Sequence, residues 1–296
     1  MKTESLPKLL YVGDVPVEST VGGSALIYRL LQDYPPAQLH IVEGNIAVSK
    51  ADKRLPEVTY DTLNVGWKRL LNSRFTTAYT TYLVLTSRWR WKQLKSTIDR
   101  FQPEAILTVA HGFSWLTAAE VAKRWDLPLH LIIHDDWVSL FSLIPPFEKV
   151  ASQNFKIIYR QACSRFCISP YMENYYQKKY NLTGSVLSPF RSRDASKYEQ
   201  LPKKISGFES TFSFAYAGSI TGMSSVLKLI KLANILAEYN WNLLIYSQLN
   251  QQEIKDQGLD IPNIRAHPLI SNQKLTQILH KEADALFLPM GFEAKS

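Results

Sequence analysis

Four consecutive residues, His134, Asp135, Asp136 and Trp137, set an imidazole, two carboxylates and an indole directly after the apolar run Leu131-Ile132-Ile133. Such a group suggests acid–base or metal chemistry. Along an extended backbone His134 and Asp136 share a side and Asp135 faces the other, so the three converge on a metal only through a turn. A cap for the next helix and a place in a ligand cleft are the other two readings. A second histidine, His111, follows the apolar run 105–109 in the same way. If both runs are parallel strands, His111 and His134 emerge at one sheet edge, where α/β proteins bind ligands. A third candidate is Gly22-Gly23-Ser24. A glycine pair at a helix start leaves backbone N–H groups open to a phosphate, and the helix dipole favours the anion. The spacing is not G-x-G-x-x-G, so a dinucleotide is not implied and a plain tight turn is the alternative.

Strands must carry these groups and helices must cover the strands. Runs at 8–12, 39–42, 57–65, 105–109 and 128–133 read as strands, several too uniformly apolar for a solvent face, as in a parallel sheet covered on both sides. Helical spacing predicts helices at 24–34, with Ser24 as cap and Pro35-Pro36 as stop, at 114–125 and at 153–163. Ser169-Pro170 opens another that runs to about 181, between short strands at 165–168 and 185–187. Strands at 212–217, 243–246, 263–266 and 285–288 alternate with helices from 224 or 225 to 239 and at 272–281. The fold class is therefore α/β, with two Rossmann-like, doubly wound parallel-sheet domains at 1–190 and 209–296 and a linker at 191–208. The chain ends straight after a strand that nothing covers, so the second domain is expected to be incomplete.

At 296 residues and 46% hydrophobic content the chain can bury two cores. No apolar run is long enough to span a membrane, and no signal-peptide core follows Met1, so a cytoplasmic protein is expected. Cys163 and Cys167 have no further Cys or His cluster to complete a metal site and are expected to be reduced, buried thiols. Nearly all of the +8 charge lies at 68–100, where eight basic residues face one acid, Asp99. Trp67, Phe75, Tyr79, Tyr82, Trp89 and Trp91 interleave with them, as on membrane-interface helices and nucleic-acid surfaces; peripheral contact with an anionic membrane is one expectation, and a solvated helix face with its aromatics turned to the core is the alternative. Nothing else favours a nucleic-acid partner.

Several stretches together resemble the GT-B glycosyltransferases, in detail their family 4: Val21-Gly22-Gly23-Ser24, Ile133-His134-Asp135, Ile168-Ser169-Pro170-Tyr171-Met172, 214–219 and 283–289. The resemblance implies a nucleotide-sugar donor on the second domain, a glycan or lipid-linked acceptor on the first, retention of configuration, and no metal or other cofactor. It implies that His134 and Asp135 are catalytic, that Gly22, Gly23 and Ser24 line the cleft, and that Gly218 and Ser219 approach the diphosphate. It further implies that Glu293 grips the donor and that His111 is an additional cleft residue. The sequence departs from the family after Gly218. Ile220-Thr221-Gly222-Met223 supplies no cation, and the next is Lys228, which leaves a non-catalytic binding protein as the alternative.

Overall fold

A computed structural model describes residues 6–19, 22–137, 143–145, 147–190, 211–220 and 222–288. Glu293 and the whole of the 191–208 linker lie outside the described residues. Contacts within the chain group it into two compact units, 1–195 and 196–296.

The first unit is built on seven parallel strands: β1 (Leu9–Gly13), β2 (Leu39–Gly44), β3 (Thr59–Leu63), β4 (Ala105–Val109), β5 (Leu129–Ile133), β6 (Ser164–Cys167) and β7 (Ser185–Val186). They pair in the order β3-β2-β1-β4-β5-β6-β7, so the direction of winding reverses between β1 and β4. That reversal opens a crevice at the carboxyl ends of the strands. Both faces of β1 are buried: Leu10 and Val12 join Ile106, Leu131 and Ile133 in one core, and Leu9 and Tyr11 join Ile41, Leu107 and Ile132 in the other. Ile27 and Leu31 of helix α1 (Gly22–Leu31) close the second core.

Between β3 and β4 the basic segment folds as α2 (Lys68–Leu71), α3 (Thr76–Thr86) and α4 (Trp91–Phe101). Next come α5 (Ser114–Arg124), α6 (Phe147–Gln161) and α7 (Pro170–Tyr180). The Ser169 side chain accepts the Met172 amide at 3.2 Å, capping α7 as its sequence predicts. Under the sheet, Trp115 meets Trp137 edge-on at 4.8 Å and Phe155 at 5.6 Å, and Phe155 packs 5.5 Å from Tyr176. This aromatic block fixes the chain just beyond His134.

Three expectations change. Ser24 is not the cap of α1, which begins two residues earlier at Gly22; Ser24 is buried inside its first turn. Helix α6 starts at Phe147 rather than 153, because Ala151, Phe155 and Tyr159 recur at helical spacing and all bury. Cys167 is buried but Cys163 is exposed, since it lies past the end of α6, on the turn into β6.

The second unit has four parallel strands, β8 (Ser213–Ala217), β9 (Asn242–Ser247), β10 (Ile264–Pro268) and β11 (Ala285–Leu286), in the order β10-β9-β8-β11. Helices α8 (Met223–Glu238), α9 (Gln251–Asp256) and α10 (Asn272–Glu282) accompany them. Sequence periodicity does not predict α9. It is a short helix held by a capping box in which Asn250 and Glu253 satisfy each other's backbone amides. Among the described residues no helix is long and apolar enough to cross a membrane.

Candidate functional site

The groups capable of chemistry in the first unit gather where β1, β4 and β5 end. Backbone pairing aligns Val109 with Ile132, so the residues after β4 and β5 leave the sheet side by side. His111 and His134 therefore share an edge, and so do Asp14 and Asp135.

His134 is tucked against the amino end of α1. A methyl at Gly23 would lie 3.2 Å from its Nδ1 and 3.4 Å from Cε1, so any side chain there would push the ring back by a few tenths of an ångström. Gly22 has open space beside it, and its backbone stays accessible. The His134 Nε2 atom is buried and has no hydrogen-bond partner among the described residues. Burial depresses its pKa, the nearby His111 adds to that, and Asp135 opposes it. The ring is therefore a neutral imidazole near pH 7, with one donor and one acceptor nitrogen. An unsatisfied buried polar atom is uncommon in a folded protein and calls for a ligand or a water.

The acidic neighbours divide their tasks. Asp135 is half-exposed and sits 3.7 Å from the His111 Nδ1. Asp136 accepts a hydrogen bond from the Tyr176 hydroxyl at 3.0 Å. Trp137 donates from Nε1 to the Gly112 carbonyl at 2.7 Å. The cluster thus splays apart rather than converging, and among the described residues no three His, Cys, Asp or Glu side chains could hold a metal ion.

Asp14, which sequence reasoning assigns no role, anchors this edge. Buried at the end of β1, it accepts the Phe113 amide, the Ser114 amide at 2.7 Å and the Ser114 hydroxyl at 2.7 Å, capping α5. Its carboxylate fills the space where side chains on Gly44 and Gly112 would stand, and Gly112 has the left-handed φ of +60°. Glu43, fully buried, likewise accepts the Val17 amide at 2.8 Å and the Ser49 amide at 2.9 Å. The Gly13-Asp14 pair after β1 and the serine opening α5 are the signals that could have exposed the Asp14 contact.

In the second unit Gly218 and Ser219 follow β8. The Gly218 amide donates to Tyr246 at 3.0 Å, and the Ser219 carbonyl accepts the Tyr216 hydroxyl at 2.8 Å. Gln248 braces the next turn through both backbone groups of Ile220, at 3.3 and 3.2 Å.

No protein-family model matches the chain, and no curated protein matches it by sequence. Solved structures do match its fold. A glycosyltransferase from Rickettsia africae ESF-5 aligns over 95% of this chain and 72% of its own at 12% identity, with a TM-score of 0.55. Anabaena HepE, solved with UDP and glucose, aligns over 95% and 73% at 12% identity, with a TM-score of 0.53. A putative UDP-N-acetylglucosamine 2-epimerase from Listeria monocytogenes aligns over 95% and 74% at 9% identity, with a TM-score of 0.51. The chain has the GT-B type of fold, with two Rossmann-like units.

Proposed function

We propose that the chain is a glycosyltransferase that moves a sugar from a nucleotide-sugar donor to a glycan or lipid-linked acceptor in polysaccharide assembly, with retention and without a metal. The observation that carries this reading is the buried, unpartnered His134 Nε2 beside the glycine-built start of α1. A neutral imidazole suits a sugar hydroxyl, and the helix start suits phosphate or developing oxyanion charge. Asp135, paired to His111, orients from the next position. Gly218 and Ser219 approach the diphosphate, and Glu293 holds the donor. The Anabaena neighbour solved with UDP and glucose supports a nucleotide sugar as partner. Phe75, Arg74, Lys68 and Arg69, all exposed, would rest on an anionic membrane surface.

The test is UDP release from a panel of UDP-sugars by the full chain, with and without acceptor, for the wild type and His134→Ala. The substitution should lower turnover by roughly a hundredfold, the scale of one misplaced positioning group. Unchanged turnover refutes the role of His134, and formation of a 2-epimer without acceptor refutes transfer. The cation-free stretch 220–223 favours one second reading, a protein that binds nucleotide without turnover; calorimetric binding of UDP with no release from any sugar donor would select it.

A further inference from the structure

We propose that a pocket farther along the same sheet edge binds an anionic saccharide unit, a sugar ring bearing a carboxylate or phosphate. The pocket, of about 510 Å³, is walled by Trp67, Tyr79, Tyr82, Trp89, Arg90 and Gln93. That volume suits a ligand of one or two rings.

Two features define what it takes. The first is the aromatic wall. Trp67 is 71% exposed, Tyr82 57% and Trp89 50%, so large rings that could have joined a core stand open to solvent. Flat rings with apolar faces match the C–H face of a sugar while its hydroxyls stay wet. Tyr79 accepts the Trp67 amide at 2.6 Å, which leaves its own proton to donate. The second feature is Arg90, only 7% exposed. Its Nη2 donates to the Leu83 carbonyl at 3.0 Å and the Thr86 hydroxyl at 2.8 Å, but Nη1 is buried without a partner. Among the described residues no carboxylate pairs with it. A guanidinium stays charged at any physiological pH; Asp14, a carboxylate that acts on it electrostatically, lies beyond ion-pair distance and is held by the start of α5, and a buried charge without a close counter-ion is unfavourable. A ligand anion would supply the missing charge. Lys68, next to Trp67 in the chain, and Lys92, next to Gln93, are also exposed and unpaired with acids among the described residues, and their charge favours an anion nearby.

Position gives the site its meaning. Residues 64–67 continue directly from β3, which is four places from β5 in the sheet. At ~4.8 Å per strand the pocket is roughly 19 Å from the His134 edge, within reach of an extended oligosaccharide. The proposal rests on the glycosyl-transfer reading and deepens it: the acceptor is acidic, and this pocket holds one of its charged units away from the reacting hydroxyl.

Binding without nucleotide separates this idea from the donor chemistry. Titration of the full chain with an oligogalacturonate tetrasaccharide should give an affinity at least about tenfold above that for maltotetraose, the worth of one charge-assisted contact. Trp67→Ala should weaken it about tenfold with no change in the unfolding midpoint. Arg90→Gln should abolish the preference for the acidic sugar, and Arg90→Lys should restore part of it. Equal affinity for the acidic and neutral sugars overturns the proposal, and so does indifference to Trp67→Ala, which remains informative even if the Arg90 variants fail to fold. Tighter, Trp67-dependent binding of a single-stranded oligonucleotide would overturn it in favour of nucleic acid. Failure of UDP-sugar turnover alongside selective acidic-sugar binding would remove the transfer reading and leave the pocket standing.

Discussion

Replacing Asp14 with alanine should unfasten the edge of the sheet that carries His134. The carboxylate accepts two backbone amides and one hydroxyl, all buried, at the start of α5. Losing a helix cap costs about 1 kcal/mol, and each buried donor left unsatisfied costs roughly 1–3 kcal/mol, partly relieved when water enters or the hydroxyl rotates. A total of about 3–4 kcal/mol is expected. The glycines opposite provide a second, sharper arm. A methyl at Gly44 would overlap the Asp14 Oδ1 and lie 2.9 Å from the Ser114 Oγ. Gly44→Ala alone should therefore cost about 1–3 kcal/mol by overpacking. In the Asp14→Ala background the overlap with the carboxylate is gone and only the Ser114 hydroxyl, which can rotate away, remains close, so the double variant should be more stable than the sum of its parts by about 1–2 kcal/mol. Six of the seven tryptophans lie before residue 195, so urea unfolding followed by fluorescence reports mainly on the first unit. A loss below about 1 kcal/mol for Asp14→Ala, or strict additivity with Gly44→Ala, would refute the account of this contact.

Gly23→Ala should hold or slightly raise the unfolding midpoint, because alanine gains up to about 1 kcal/mol over glycine in a helix, yet lower sugar-donor turnover at least tenfold by shifting His134; unaltered turnover counts against the seat. The folded chain depresses the pKa of both His130 and His134 through burial. Each favours the neutral ring in the native state, so their contribution is complete above about pH 6.5 and is lost as pH falls below it, where the unfolded chain binds protons first. Unfolding midpoints measured from about pH 7.5 to 5 should drop less steeply for His130→Asn/His134→Gln than for the wild type, and identical slopes would contradict the sign. Phe75→Ser, at a half-exposed position, should leave stability within about 0.5 kcal/mol while weakening co-sedimentation with anionic vesicles about tenfold. Equal partitioning of both proteins would remove the membrane contact.

Much of the architecture was legible because it is local. Uniformly apolar runs marked β1, β4 and β5 as buried parallel strands, and Ser169-Pro170 marked the start of α7. Where two local signals compete, residue type alone misplaces the boundary. Ser24 has the right chemistry for a cap, but the helix starts on the glycines before it, which have no side chain to announce them. Helix α9 leaves no trace in the periodicity because its capping box, not an apolar stripe, defines it. Residue type alone predicts a buried Cys163, although the end of a helix exposes whatever stands there.

The sequence by itself determined that this is an α/β chain with two parallel sheets, and that His111 and His134 leave neighbouring strands at one edge. Periodicity and strand order suffice for that, since both follow from the alternation of buried runs along the chain. Only the tertiary structure decided what each charged group does. The contact of His134 with Gly23 and the grip of Asp14 on Ser114 join residues about a hundred positions apart, and no local pattern encodes them. The same holds for Asp136, which Tyr176 takes out of the cluster, and for Arg90, whose Nη1 is left without a hydrogen-bond partner among the described residues only once the helices around it are packed. Hydrogen bonding and burial are properties of the assembled environment, so the residue types offered the chemistry and the fold chose which of them kept it free.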